Sequence, residues 1–191
     1  MYPMKFLLRT LAGLAISASL GLHAIAGPSF NPDRDELAQL SGEAGAELHV
    51  AFARFHDMLQ FLERRDVGRA NEAKADALKH FKTSATTFEK VAETAPNQKI
   101  VFIPKSPGDE AALDAFKRRL AEQKIPIPST ERELAKLAVK AVSEHAAVLE
   151  KSNFRATKAD YAMLREVLKS QAIVLDLGIL SSIVWTVSVR Q

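Results

Sequence analysis

Beyond its first 26 residues the chain carries four histidines: His49, His56, His80 and His145. Imidazole is the side chain best suited to hold a transition metal or an axial haem position near neutral pH. His145 alone sits centrally in an apolar helical stripe, among Ala141, Val148 and Leu149. His49 and His56 are seven residues apart and therefore share one helical face. That face lies at the edge of a stripe, beside Phe52 and Glu63, and Met58 offers a thioether on the same segment. If the chain holds haem or a transition metal, the expected ligands are His145 with His49 or His56.

The spacings that would give this reading weight are absent. No His has a Glu three residues before it, as carboxylate-bridged di-metal bundles require. No His-Glu-x-x-His or His-x-x-x-His pair occurs. With no Cys in the chain, thiolate zinc sites, covalent haem attachment and thiol catalysis are excluded together. A core histidine is most often a hydrogen-bonded neutral ring.

Other catalytic constellations fare no better. Ser143-Glu144-His145 is contiguous, but neighbours on a helix point about 100° apart and cannot form a triad. No Gly-rich phosphate loop occurs in the sequence after residue 26. Paired acids such as Asp109-Glu110 fall at a helix start, and Arg64-Arg65 near a helix end, where the helix dipole explains both. The expectation is a non-enzymatic protein.

The segments that must position these residues are helical. Asn31-Pro32-Asp33 opens the first, with Asn as cap and Pro in the first turn. Its stripe runs Leu37, Leu40, Ala44, Leu48, Phe52, Phe55, Leu59 and Leu62 before Asp66-Val67-Gly68 breaks it. A second helix, from about Arg69 to Glu93, alternates Ala with Phe: Ala70, Ala77, Phe81, Ala85, Phe88 and Ala92. The short break predicts an antiparallel hairpin. Ile100–Pro128 reads as a crossover, with two extended Pro-bounded runs around a short helix capped by Ser106 and carrying Leu113, Phe116 and Leu120. Thr130 and Glu133 open a fourth helix through Leu134, Leu137, Ala138, Ala141, His145, Val148 and Leu149, and Thr157 with Asp160 opens a fifth. The expected fold is all-α, an up-and-down bundle of four long helices plus a short crossover helix.

The chain starts with Lys5 and Arg9 ahead of an apolar run from Leu11 to Leu22, then Ala24-Ile25-Ala26. This is the pattern of a cleaved secretory signal, giving residues 1–26 as signal and 27–191 as one helical domain of about 165 residues. Uncleaved, it would serve as an inner-membrane anchor. Of 26 basic and 23 acidic residues the signal removes Lys5 and Arg9, so the remainder has a formal charge of about +1. A near-neutral mixed surface gives no footprint for nucleic acid. The expected location is the periplasm or the exterior of a bacterium.

The stretch from Tyr161 to Val189 reads as a long apolar helix whose polar stripe, Arg165, Lys169 and Asp176, stops at Asp176. Residues 172–189 are then apolar all round, fitting a central core helix or a membrane span of about 27 Å. Gly178, Ser181, Ser182, Thr186 and Ser188 favour the core. A span would make this a membrane-tethered, sensor-like domain. A third option makes the β-branched run Ile183–Val189 extended, against Ile100–Ile103. The function expected from the whole is binding of another envelope protein or a small ligand, through helix faces and the apolar crossover.

Overall fold

The structure is a computed structural model that describes residues 32–102, 106–155, 159–180 and 184–185. It is the expected all-α up-and-down bundle, in the order α1 (Pro32–Glu63), α2 (Val67–Thr94), β1 (Val101–Phe102), α3 (Pro107–Glu122), α4 (Glu131–Lys151), α5 (Ala159–Leu180) and β2 (Val184–Trp185). The four long helices are α1, α2, α4 and α5, and α3 is the crossover helix. Asn31 and Thr157 lie outside the described residues.

Two helix ends use the same device. After α1, the Arg65 amide donates to Leu62 O and the Asp66 amide to Phe61 O, with Arg65 at φ 62°. After α3, Lys124 donates to Ala121 O and Ile125 to Leu120 O, with Lys124 at φ 56°. Both are Schellman closures, and both place a side-chain-bearing residue where glycine is favoured. Ile125 then folds back onto the core. The break after α1 thus falls at Arg64–Asp66. Gly68 lies inside the first turn of α2, which Asp66 caps by accepting from the Arg69 amide at 3.2 Å.

The cap signatures ahead of α3 and α4 act as read. Ser106 Oγ accepts from the Asp109 amide and Thr130 Oγ1 from the Glu133 amide, each at 3.2 Å. Glu133 reaches one residue past the cap, accepting from the Ser129 amide at 2.7 Å and its hydroxyl at 2.8 Å. These bonds, led by the Ser129 amide, hold the Glu133 carboxyl below its ordinary value.

The buried residues follow the expected stripes, shifted slightly. On α1 they are Ala44, Leu48, Ala51, Phe55, Met58 and Leu59, while Phe52 and Leu62 are partly buried. Met58 is a fully buried core residue. α1 packs on α2, α2 on α4, α4 on α5, and α3 on α5. Leu113, Phe116 and Leu120 of α3 are all buried, so most of the crossover's apolar surface is spent inside the molecule. Its base is closed where Ile100 donates to Ser129 O and Glu131 to Gln98 O. Ile127, 49 % exposed, is the main apolar remainder.

The long C-terminal helix is shorter than the apolar pattern implies. α5 ends at Leu180, and Val184–Trp185 is a strand antiparallel to β1, pairing Val101 with Trp185 and Phe102 with Val184. β-branched residues facing an unpaired extended segment gain ladder bonds that a helix would forgo. Residues 186–189 lie outside the described residues. No helix among the described residues is long and apolar enough to cross a membrane.

Lys124→Gly removes the cost of a Cβ in the left-handed region. It is expected to raise unfolding stability by about 0.5–1 kcal/mol in urea titration, with no change in helix content.

Candidate functional site

His145 stands where all four long helices meet. Its ring lies edge-on to Phe81 of α2, with centroids 4.8 Å apart, and to Phe55 of α1 at 5.6 Å. Nδ1 lies 2.9 Å from the Ser170 hydroxyl of α5. The residue is fully buried. α4 brings it there because Ala138, Ala141 and Leu149 occupy the same buried face at helical spacing.

The tautomer follows from a count of protons. Ser170 Oγ also lies 2.8 Å from Val167 O, an acceptor only. The hydroxyl has one proton, and it goes to that carbonyl. Nδ1–H therefore donates to Ser170 Oγ, and Nε2 keeps a bare lone pair. Nε2 is buried with no hydrogen-bond partner, and so is Gln171 Oε1 on α5. Burial drives the His145 pKa down from its ordinary 6.5 to about 4. Charging the ring would strand an imidazolium between two phenyl rings, with no ion pair to a carboxylate among the described residues.

The other histidines are placed differently. His49 faces solvent. His56 is half-buried and its Nε2 lies 2.9 Å from the Gln60 side-chain nitrogen, one turn on. His80 ties α2 to α1: Nδ1 lies 2.6 Å from Glu47 Oε2 and Nε2 3.7 Å from Asp76 Oδ1. Arg54 Nε in turn holds Asp76 at 2.8 Å. Among the described residues, no three His, Asp or Glu side chains gather in a geometry that holds a metal ion. His145 thus lies buried at the bundle centre, while His49 is exposed and His56 is held by Gln60 on α1. Ser143 and Glu144 are exposed while His145 is buried, so the contiguous trio is not a triad in space either.

The concave surface lies elsewhere, along the outer seam of α2 and α4. Two depressions of about 410 and 450 Å³ run into one another through their shared lining residues Glu89 and Val139. Neither reaches His145. Ala85, Ala92 and Ala146 are buried in the seam, and Thr86, Ser143 and Ala147 stand exposed at its lip. The helices run antiparallel there. Arg132 Nε of α4 donates to Ala95 O at the end of α2 at 3.0 Å. At the far end Lys74 Nζ of α2 donates to Glu150 O at 3.1 Å and to Ser152 O. Lys82 Nζ pairs with Glu150 Oε1 at 2.7 Å. That bond, with the charges of Lys82 and Lys74, holds the Glu150 carboxyl below its usual range. Burial pushes the Lys74 ammonium down, against the pull of Glu150.

The sequence marked His145 as central but left Ser170, Gln171 and the α2–α4 seam unremarked. Ser170 sits beside Lys169 on what reads as a polar stripe, and only the docking of α5 on α4 turns it inward. The seam needs two helices at once, so no single periodicity carries it. No family model, curated protein or solved structure matches the chain.

A histidine whose pKa falls on folding binds its proton more tightly in the unfolded chain. Its contribution to stability is complete above pH 6.5 and is lost as pH falls from 6.5 toward 4. Between pH 7.5 and 4.5 this is worth about 2–3 kcal/mol. Urea unfolding at the two pH values is expected to show a drop smaller by about that amount in His145→Leu than in the unsubstituted protein. Equal drops would refute a buried neutral His145.

Proposed function

We propose that this protein is an exported, non-enzymatic binding module of the bacterial envelope, and that the α2–α4 seam is its binding surface. The observation that carries this reading is the continuous groove itself. It has small side chains on its floor and lip, and charges on both walls. A floor without long side chains lets another backbone come close, and the rim charges set orientation. Export rests on the charged start, the apolar run and Ala24-Ile25-Ala26. It leads to the periplasm or the cell exterior. The crossover, first expected to contribute contact surface, has turned most of its apolar residues inward, which moves the weight to the seam.

A second reading is favoured by one specific feature. Nδ1–H of His145 is held by Ser170, which leaves Nε2 with the lone pair, the arrangement found in histidine ligands of metals and haem. In this reading His145 supplies a single ligand, and His49 or His56 would have to swing toward it. Protein purified from its own host would then carry a Soret band or a stoichiometric metal, absent in His145→Leu.

A photo-crosslinking residue at Ser143, in the seam, tests the main reading against the same residue at Ala53, which is exposed on α1. In source-organism cells, adducts are expected from position 143 and not from 53. Adducts from neither position, or equally from both, would overturn the seam as a binding surface.

A further inference from the structure

We propose that the partner for which the α2–α4 seam is built is a second copy of this chain. The inference rests on the reading of the seam as a binding surface and assigns its occupant.

The charges on the two walls exchange sign along the groove. At one end Glu89 and Glu93 stand on the α2 wall, facing Arg132 and Lys136 on the α4 wall. At the other end the base, Lys82, is on α2 and the acid, Glu150, is on α4. Glu89 and Glu93 take part in no ion pair among the described residues.

Such a pattern is a quadrupole, and it matches itself. A two-fold axis laid along the groove in the plane of the face sets the α2 wall of one copy over the α4 wall of the other, end on like end. Glu89 and Glu93 then meet Arg132 and Lys136 of the second copy, and the Lys82–Glu150 pair, already closed within each chain at 2.7 Å, lies over its reversed counterpart. An isologous interface requires this self-complementarity. An acidic or a basic partner would instead find half of every wall repulsive.

The floor agrees with the charges. On the floor Ala85, Ala92 and Ala146 carry the smallest side chain able to sit in a helix without penalty, with Val139 where the two depressions meet, and Ala147, Ser143 and Thr86 at the lip are also small. Ridges of a second α2–α4 pair therefore enter over small side chains in the stretch between Arg132 and the Lys82–Glu150 pair.

Sedimentation velocity of the full-length gene product at low salt tests the proposal. A concentration-dependent dimer is expected. Glu89→Lys puts like charges across the interface and should weaken it by about tenfold or more, and Glu89→Lys/Lys136→Glu should return it to within about threefold of the original. Ser143→Trp fills the groove and should give a monomer of unchanged helix content and unfolding midpoint.

A monomer at roughly 100 µM, where a micromolar dimer is saturated, would overturn the proposal. So would a dimer indifferent to both Glu89→Lys and Ser143→Trp. The crosslink at Ser143 separates this from the reading beneath it. An adduct of twice the chain mass supports the second copy. An adduct of any other mass overturns the second copy and leaves the seam a binding surface.

Discussion

The bundle depends on keeping one imidazole neutral at the point where its four long helices meet. His145 is a buried side chain that touches a named residue on each of the other three: Phe55, Phe81 and Ser170. A fully buried ring with one hydrogen bond and one orphaned nitrogen is a costly core residue. An unpaired buried polar atom is worth about 1–3 kcal/mol. The cost is offset by orientation: an imidazole between two phenyl edges, anchored to a hydroxyl on a fourth helix, has one way to sit.

The rest of the architecture follows from how the chain closes around this point. α1 and α2 form a hairpin whose turn is set by Schellman bonds. α4 lies on α2, held at one end by Arg132 on Ala95 O and at the other by Lys74 on the last carbonyls of α4. Both cations lie at helix C-terminal ends, where the dipole favours them. α5 covers α4, and α3 covers α5. The short β1–β2 pair then ties the start of the crossover to the segment after α5, joining parts of the chain more than eighty residues apart. Of the described apolar residues of the crossover, Ile100, Phe102, Leu113, Phe116, Leu120 and Ile125 are drawn into this closure. The outer face of α2 and α4 carries two adjoining depressions.

Much of this was legible in the residues. The helical stripes, the Ser106 and Thr130 caps and the hairpin break are local. They depend on 3.6-residue periodicity and on backbone donors within one turn. His145 stood out because it interrupts an apolar stripe. The identity of its partner did not, because Ser170 and His145 are brought together by the packing of α5 on α4. Met58, read as a spare sulfur, proves to be core because the α1 stripe drifts with the true helical repeat. The run after Asp176 shows the limit most clearly. Apolar all round, it was read first as a core helix, with bilayer and strand as alternatives, since composition alone does not distinguish what covers it.

The sequence by itself determined the class of fold, the ends of most helices and the absence of any local catalytic motif, because each is written in short-range spacing. Only the tertiary structure decided three things: that α5 stops at Leu180 and gives way to a strand, that the crossover's apolar residues face inward, and that the two walls of α2 and α4 exchange charge along their seam. Each depends on which segments lie side by side, and adjacency in space is settled by burial of the whole chain at once.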